Sequence, residues 1–266
     1  MKSERRKTVT KTLLSEVAYA MEAPECLLPH LPYLLQDLPS LSGAEDDVIG
    51  VLKEVGFPNG GAVLDLGCGR GDIAIRVARA FDAEVTGVDA HPPFIEIARQ
   101  SAKEAGLERS CRFVATDLRK PLAKPARYDA VLMIALGPVL GDCAKTMGML
   151  RAVVRDGGWI IIDDAYLEDG VPPSADYEGY LNQEAMEAGL TQFGDVIVAR
   201  RIRSPAGKLF NALALETIPK RAAALSERHP ELKEAIGQYV ARQIQEVALM
   251  DGPVVPALWA IQKTAA

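Results

Sequence analysis

The chain has 266 residues, of which 48% are hydrophobic and 25% charged, and its formal net charge is −6. These proportions are typical of a folded protein with a sizeable core, and the acidic balance argues against a nucleic-acid-binding protein, which is usually basic. No apolar stretch approaches the length of a membrane span, and Glu16 and Glu22 interrupt the segment that a signal peptide would need. We therefore expect a cytoplasmic protein with neither nucleic-acid nor membrane partners.

The four cysteines, scattered without a CxxC pair, fit a reducing compartment better than disulfides or a zinc site. The N-terminal part begins with basic residues that we interpret as a solvated arm. They are Lys2, Arg5, Arg6, Lys7 and Lys11. Apolar residues at helical spacing predict a helix over 8–22, and three prolines divide 27–40 into short helical pieces. A further helix is predicted over about 44–56.

From residue 62 the pattern alternates between short apolar strands and amphipathic helices, which predicts a parallel sheet covered by helices on both faces. The predicted strands are 62–67, 84–89, 111–117, 128–135 and 159–164, with helices at 72–81, 93–106 and about 142–155. Beyond residue 170 we predict helices near 174–189, 206–226 and 230–249, and strands at 195–203 and 254–263.

This order of elements predicts an α/β fold class, a doubly wound, mostly parallel seven-stranded sheet with a helical cap. We expect residues 57–204 and 251–266 to form the cofactor-binding core. Residues 1–56 would supply an N-terminal cap segment, and residues 205–250 a helical insertion that completes the cap over the carboxyl edge of the sheet.

The glycine-rich stretch 67–71 comes after the first of these strands and indicates a ligand that approaches the backbone closely. A phosphate-binding loop requires GxxxxGK[ST], which is absent. The dinucleotide fingerprint requires a third glycine where this chain has Asp72, in the first turn of the next helix. A diphosphate would meet a carboxylate there, so the loop favours a less anionic cofactor and weakens the alternative of an NAD-dependent oxidoreductase.

Acidic residues stand at the ends of three successive predicted strands. Asp65 suits a ligand with an ammonium or sulfonium charge. Asp89 can accept hydrogen bonds from two ribose hydroxyls, as the corresponding acid of an NAD site does. The carboxylate of Asp117 can accept a hydrogen bond from the exocyclic amine of adenine. Together with the glycine loop, they indicate a nucleoside-bearing cofactor.

The segments VLDLGCGRGD, VTGVDAHPPFIEIAR, FVATDL and YDAVLMIALG, in this order and spacing, resemble the class I S-adenosylmethionine-dependent methyltransferases. The resemblance covers about 62–165, with a final strand at 253–263. It implies a Rossmann-like methyltransferase fold and S-adenosyl-L-methionine as cofactor. The cofactor-binding residues that it implies are Asp65, Gly67, Cys68, Gly69, Asp89, Ala90, Asp117, Leu118, Ile134 and Ala135.

The residues after the fourth and fifth strands narrow the choice of acceptor. Enzymes that methylate amino groups of nucleic acids resemble one another in [DNS]PP[YFW], whereas this chain has ALGP at 135–138. Magnesium-dependent catechol-type enzymes need an acid after the fourth strand, and none occurs before Asp142, although Asp163 and Asp164 match the second half of that site. We therefore expect that the protein uses no metal ion. The predicted cap would close the acceptor pocket, and a closed pocket suits a small molecule better than a protein.

Methyl transfer to such an acceptor is an in-line displacement that depends mainly on positioning. The candidate catalytic residues are Asp164 and Tyr166, which would orient or deprotonate the acceptor, and His91, which would flank the cofactor or act as a base. Each residue also has a purely structural interpretation. Asp164 would cap the next turn, Tyr166 would pack against the helical cap, and His91 would be held by its neighbours in the loop. A non-catalytic sensor or scaffold that binds the cofactor remains open, and so does the oligomeric state, with a homodimer as one alternative.

Overall fold

The computed structural model describes residues 12–123, 128–202 and 204–265. The basic arm and the first part of the helix predicted over 8–22 lie outside these ranges. The helices are α1 (Leu13–Ala20), α2 (Leu31–Leu34), α3 (Glu45–Glu54), α4 (Asp72–Phe81), α5 (Pro92–Glu104), α6 (Arg119–Leu122), α7 (Cys143–Val153), α8 (Gln183–Thr191), α9 (Pro205–Arg228) and α10 (Lys233–Met250). The strands are β1 (Ala62–Leu66), β2 (Glu84–Asp89), β3 (Cys111–Ala115), β4 (Tyr128–Ile134), β5 (Val154–Leu167), β6 (Val196–Ile202) and β7 (Val254–Gln262).

The strands form one seven-stranded sheet in the order β3-β2-β1-β4-β5-β7-β6. The first five strands pair in parallel, and β7 is antiparallel to both β5 and β6. The predicted α/β fold with a doubly wound, mostly parallel sheet is confirmed. Strand order reverses between β1 and β4, and in such sheets a ligand binds in the crevice at the carboxyl ends beside that reversal.

Strands β1 and β4 bury side chains on both faces because helices cover both faces of the sheet. Val63 and Leu132 pack towards α3, α4 and α5, whereas Leu64 and Val131 pack towards α7 and α8. This alternation arises from the two-residue repeat of a strand, and it explains why β1 and β4 are mostly apolar, with Asp65 and Asp129 as the acidic exceptions. The parallel pairing of β1 with β4 places their carboxyl ends side by side.

A third apolar cluster joins the N-terminal segment to the C-terminal helices. Its largest fully buried members include Leu27, Leu31 and Phe94, with Ile218 of α9 and Tyr239 of α10 packed against them. Helix α3, which the sequence grouped with the cap, instead contributes Val48 to the cluster on the sheet. We use the term cap below for residues 13–34 together with α9 and α10, and the domain boundaries themselves stay a prediction.

Two elements differ from the sequence-based expectation. Strand β5 extends to Leu167 because its pairing with β7 continues to the Leu167–Val254 pair, beyond the predicted end at residue 164. The helix predicted near 174–189 is divided into a short 3-10 turn, Ala175–Tyr177, and α8. Helix α8 begins where the side chain of Asn182 accepts a hydrogen bond of 2.9 Å from the amide of Ala185.

Across the described ranges, no helix has both the length and the apolar content that crossing a membrane would require. Within the same ranges, no group of three or more His, Cys, Asp and Glu side chains is arranged to hold a metal ion. The cysteines Cys26, Cys68, Cys111 and Cys143 are all free thiols.

Candidate functional site

The glycine loop between β1 and α4 lies at the strand-order reversal. Gly67 and Gly69 both adopt left-handed backbone conformations, with φ of +68° and +52°. A Cβ atom on Gly69 would lie 2.7 Å from Leu41 Cδ1, and one on Gly67 would overlap the side chain of Leu136. Only glycine satisfies both requirements, because it has no side chain and tolerates positive φ. The loop is thus a tight backbone cradle flanked by two leucines.

Asp89 ties the end of β2 to this loop. Its Oδ2 accepts the amide of Gly69 at 2.9 Å, and its Oδ1 accepts the amide of His91 at 2.7 Å. Burial raises the pKa of Asp89, and these amide hydrogen bonds act in the opposite direction. Each carboxylate oxygen has further acceptor capacity, so Asp89 can also receive hydroxyl donors from a ligand.

Asp65 is the most deeply buried acid of the site, with 2% of its surface exposed. Its Oδ2 contacts no hydrogen-bond donor among the described residues. Burial, with smaller contributions from the charges of Asp89 and Asp72, raises the pKa of Asp65 to about 8. A buried carboxylate oxygen without a donor is costly, so it fits a ligand group that brings a donor or a positive charge.

Asp117 stands at the rim of the site and is held by an arginine. Arg119 donates through Nε to Oδ1 at 2.8 Å and through Nη2 to Oδ2 at 2.9 Å, and it also binds Glu16 of α1. This hydrogen bonding to Arg119 lowers the pKa of Asp117. Leu118, next in the chain, is half-buried against the apolar cluster under α7.

The end of β4 turns sharply at Ala135, which has a φ of +53° although it is not glycine. Its amide donates to the carbonyl of Asp163 at 3.2 Å, which links this turn to β5. Ile134 is buried and Ala135 is exposed, so the backbone leaves the sheet here. A non-glycine residue at positive φ is uncommon and is often found at functional sites. Leu136, the next residue, is the side chain that lies over Gly67.

The three candidate catalytic residues occupy two separate places. Asp164 is half-buried on β5, burial raises its pKa, and its Oδ1 accepts the amide of Ala165 at 2.8 Å. Tyr166 is on the same face of β5 and packs against Trp259, with ring centroids 6.2 Å apart. His91 is buried under the cap, where its Nε2 lies 2.8 Å from the carbonyl oxygen of Leu28. Asp164 and Tyr166 are thus neighbours, and His91 is apart from them.

Sequence reasoning missed three residues that shape the site. Leu41 and Leu136 cover the glycine loop, and Arg70 reaches from it to the carbonyls of Leu35 and Leu38. Each contact joins positions roughly thirty or more residues apart in the chain, so no local motif reports it. The sequence feature that could have drawn attention to Arg70 is its position between two glycines of the loop.

Residues 63–158 match a family model described as "Methyltransferase domain". A curated relative, the demethylmenaquinone methyltransferase of Thermus thermophilus, is 36% identical over 112 residues, which are 42% of this chain and 48% of that protein. A ubiquinone biosynthesis O-methyltransferase of Bordetella pertussis is 31% identical over 113 residues, 42% of this chain and 46% of that protein. The chain spans about half the length of the curated relatives it matches.

Among solved structures, the chain is similar to an S-adenosylmethionine-dependent methyltransferase from Geobacter sulfurreducens, solved in complex with S-adenosyl-L-homocysteine. The TM-score is 0.72 at 18% identity, covering 87% of this chain and 96% of that one. At 18% sequence identity, this similarity establishes the fold alone. Together with the domain match, it confirms the resemblance to class I S-adenosylmethionine-dependent methyltransferases and their Rossmann-like fold.

Proposed function

Because residues 63–158 match a methyltransferase domain, we propose that the protein binds S-adenosyl-L-methionine and transfers its methyl group to a small-molecule acceptor. The observation that carries the proposal is the buried Asp65 oxygen, which has no donor among the described residues and lies at the end of β1 before the glycine loop. The cofactor brings an ammonium group that would satisfy this oxygen. A dinucleotide diphosphate would add negative charge to a site that already holds Asp65, Asp72 and Asp89.

The remaining cofactor contacts are proposed from the strand ends. Asp89 would accept the ribose hydroxyls, while Asp117 and the backbone of Leu118 would contact the adenine. The other residues proposed to line the cofactor are Gly67, Cys68, Gly69, Ala90, Ile134 and Ala135. When bound, S-adenosyl-L-methionine supplies an activated methyl group on a sulfonium centre. The protein's own task is then to orient the acceptor and to exclude water, and orientation alone contributes on the order of 7–11 kcal/mol.

The acceptor would lie beneath the cap, at the carboxyl ends of β4 and β5. Asp164 is the candidate base, because burial raises its pKa and a carboxylate with a higher pKa is a stronger base. Tyr166 would position the acceptor from the same face of β5, and His91, in the loop after Asp89, would flank the cofactor or act as a base. The net charge of −6 favours a small molecule over nucleic acid. A cytoplasmic location, the absence of a metal and a homodimer stay predictions.

The decisive experiment is calorimetric titration of the protein with S-adenosyl-L-methionine, S-adenosyl-L-homocysteine and NAD. We expect micromolar binding of the first two ligands and none of NAD. Binding of NAD alone would overturn the assignment of the glycine loop. If the protein binds S-adenosyl-L-methionine yet forms no S-adenosyl-L-homocysteine with a broad panel of small acceptors, the alternative of a non-catalytic sensor would be favoured instead.

A further inference from the structure

Arg70 is a buried cation whose guanidinium faces away from the glycine loop that carries it. Its side chain is 10% exposed. Nη1 donates to the carbonyl of Leu35 at 3.1 Å, and Nη2 donates to the carbonyl of Leu38 at 2.9 Å. Nε lies 3.5 Å from Asp72 Oδ2, so the arginine is also held by the first residue of α4. Arg70 therefore bridges the glycine loop and the chain segment after α2.

That segment, residues 35–44, crosses the glycine loop, and we call it the strap. Leu41 of the strap lies directly over Gly69, the residue that precedes Arg70. On its other side, the ring of Phe210 of α9 packs so closely on Gly43 that a Cβ there would lie 2.7 Å from Phe210 Cγ. The strap is thus enclosed between the glycine loop and the cap.

The next two strand-end loops hold the N-terminal segment in the same way. His91, two residues after Asp89, contacts the carbonyl of Leu28 at 2.8 Å. Arg119, two residues after Asp117, binds Glu16 of α1 at 2.6 Å. In both loops the strand-end acid also accepts the amide of the residue two positions later. The loops after β1, β2 and β3, which are proposed to hold the cofactor, therefore also hold residues 16–38.

We propose that Arg70 is a positioning residue that seats the strap on the glycine loop, so that seating of the strap and binding of the cofactor favour each other. This inference rests on the proposed function. Arg70 would not touch the cofactor. It joins the loop to the strap, whereas the carboxylate of Asp89 holds the amide of Gly69 within the loop. Coupling of this kind is reciprocal, so the cofactor would stabilise the strap to the extent that the strap stabilises cofactor binding.

The planar guanidinium is needed because it donates to two carbonyls at once. Lysine offers a single ammonium on a flexible stem and cannot reproduce that geometry. Without Arg70, the carbonyls of Leu35 and Leu38 would lose donors in a buried place. Hydrogen bonds to a charged group are among the stronger ones in proteins, so Arg70→Met should release the strap locally while the sheet stays folded.

The test is hydrogen exchange measured by mass spectrometry on peptides covering residues 35–44, combined with calorimetric titration of S-adenosyl-L-homocysteine. The variants are Arg70→Met and Arg70→Lys. Arg200→Met is the matched control, since Arg200 binds Glu187 between β6 and α8, away from the strap. Peptides from β1 and β4 report whether each variant is folded. If Arg70→Met does not fold, Arg70→Lys carries the test.

In the Arg70 variants we expect strap exchange to be faster by about tenfold or more, and affinity for S-adenosyl-L-homocysteine to be weaker by a similar factor. In the wild-type protein, S-adenosyl-L-homocysteine should slow hydrogen exchange in the strap. If the strap exchanges at the wild-type rate in the Arg70 variants, the role of Arg70 would be overturned. Faster exchange with unchanged affinity would overturn the coupling alone. If the unchanged protein binds neither S-adenosyl-L-homocysteine nor S-adenosyl-L-methionine, the proposed function fails, and the coupling fails with it.

Discussion

The backbone amide of Gly69 donates a hydrogen bond of 2.9 Å to the carboxylate of Asp89. This bond joins the loop after β1 to the end of β2, so the side chain of Asp89 shapes the glycine loop. The second oxygen of Asp89 holds the amide of His91 at 2.7 Å. If Asp89 also binds the ribose as proposed, loop geometry and ligand recognition depend on the same carboxylate.

Replacing Asp89 should weaken cofactor binding more than a lost ligand contact alone would. In Asp89→Ala the amide of Gly69 loses its acceptor, and the ribose hydroxyls lose theirs. We expect affinity for S-adenosyl-L-homocysteine to fall by about 2–3 kcal/mol, measured by calorimetry. Asp46→Ala, which removes an exposed acid from α3, is the control and should bind normally. Unchanged affinity in Asp89→Ala would mean that the strand-end acids have been assigned to the wrong positions.

The sheet and the glycine loop were predictable because their signals are local. Strand β4 is an uninterrupted apolar run after Asp129, and the loop at Gly67 and Gly69 lies between a strand and an amphipathic helix. The extension of β5 to Leu167 was not predictable, since it depends on pairing with Val254, far along the chain. The leucines that cover the loop likewise come from distant segments, and one sequence does not report such packing.

The start of α8 offers a test of local stability outside the residues proposed to bind the cofactor. Asn182 caps this helix by accepting the amide of Ala185 at 2.9 Å. Asn182→Ala should lower the free energy of unfolding by about 1 kcal/mol, measured by urea denaturation, because one amide of the first turn loses its partner. Asn182→Asp should retain most of the stability. Cofactor binding should be unaffected in both variants, and a loss of binding would show that the start of α8 also shapes the cofactor site.

Asp164 and Tyr166 should affect turnover rather than cofactor binding. If Asp164 deprotonates the acceptor, Asp164→Asn should lower kcat by about a hundredfold or more, with affinity for S-adenosyl-L-homocysteine retained. Tyr166→Phe keeps the ring packed on Trp259 and tests the hydroxyl alone. The measurement is formation of S-adenosyl-L-homocysteine with an acceptor found in the panel. Full activity in Asp164→Asn would leave this residue the structural role of binding the Ala165 amide.

Asp65 should make both stability and ligand binding depend on pH. Burial raises the pKa of Asp65 from 3.8 to about 8, so between these values the folded protein holds a proton that the unfolded chain has released. Its contribution therefore makes the protein less stable as pH rises from about 4 to about 8. In Asp65→Asn this decline should disappear, so thermal unfolding of the two proteins should diverge most near pH 8.

Binding of an ammonium-bearing ligand should show the opposite trend. The ligand favours ionised Asp65, so affinity for S-adenosyl-L-homocysteine should rise with pH up to about 8, with a proton released on binding. Calorimetry in buffers of different ionisation enthalpy measures that proton directly. Asp65→Asn should bind weakly and without proton release. If the wild-type protein releases no proton and its affinity is the same at pH 6 and pH 8, ligand binding does not change the ionisation of Asp65. That result would contradict the prediction that the ammonium group of the ligand drives this carboxylate to ionise.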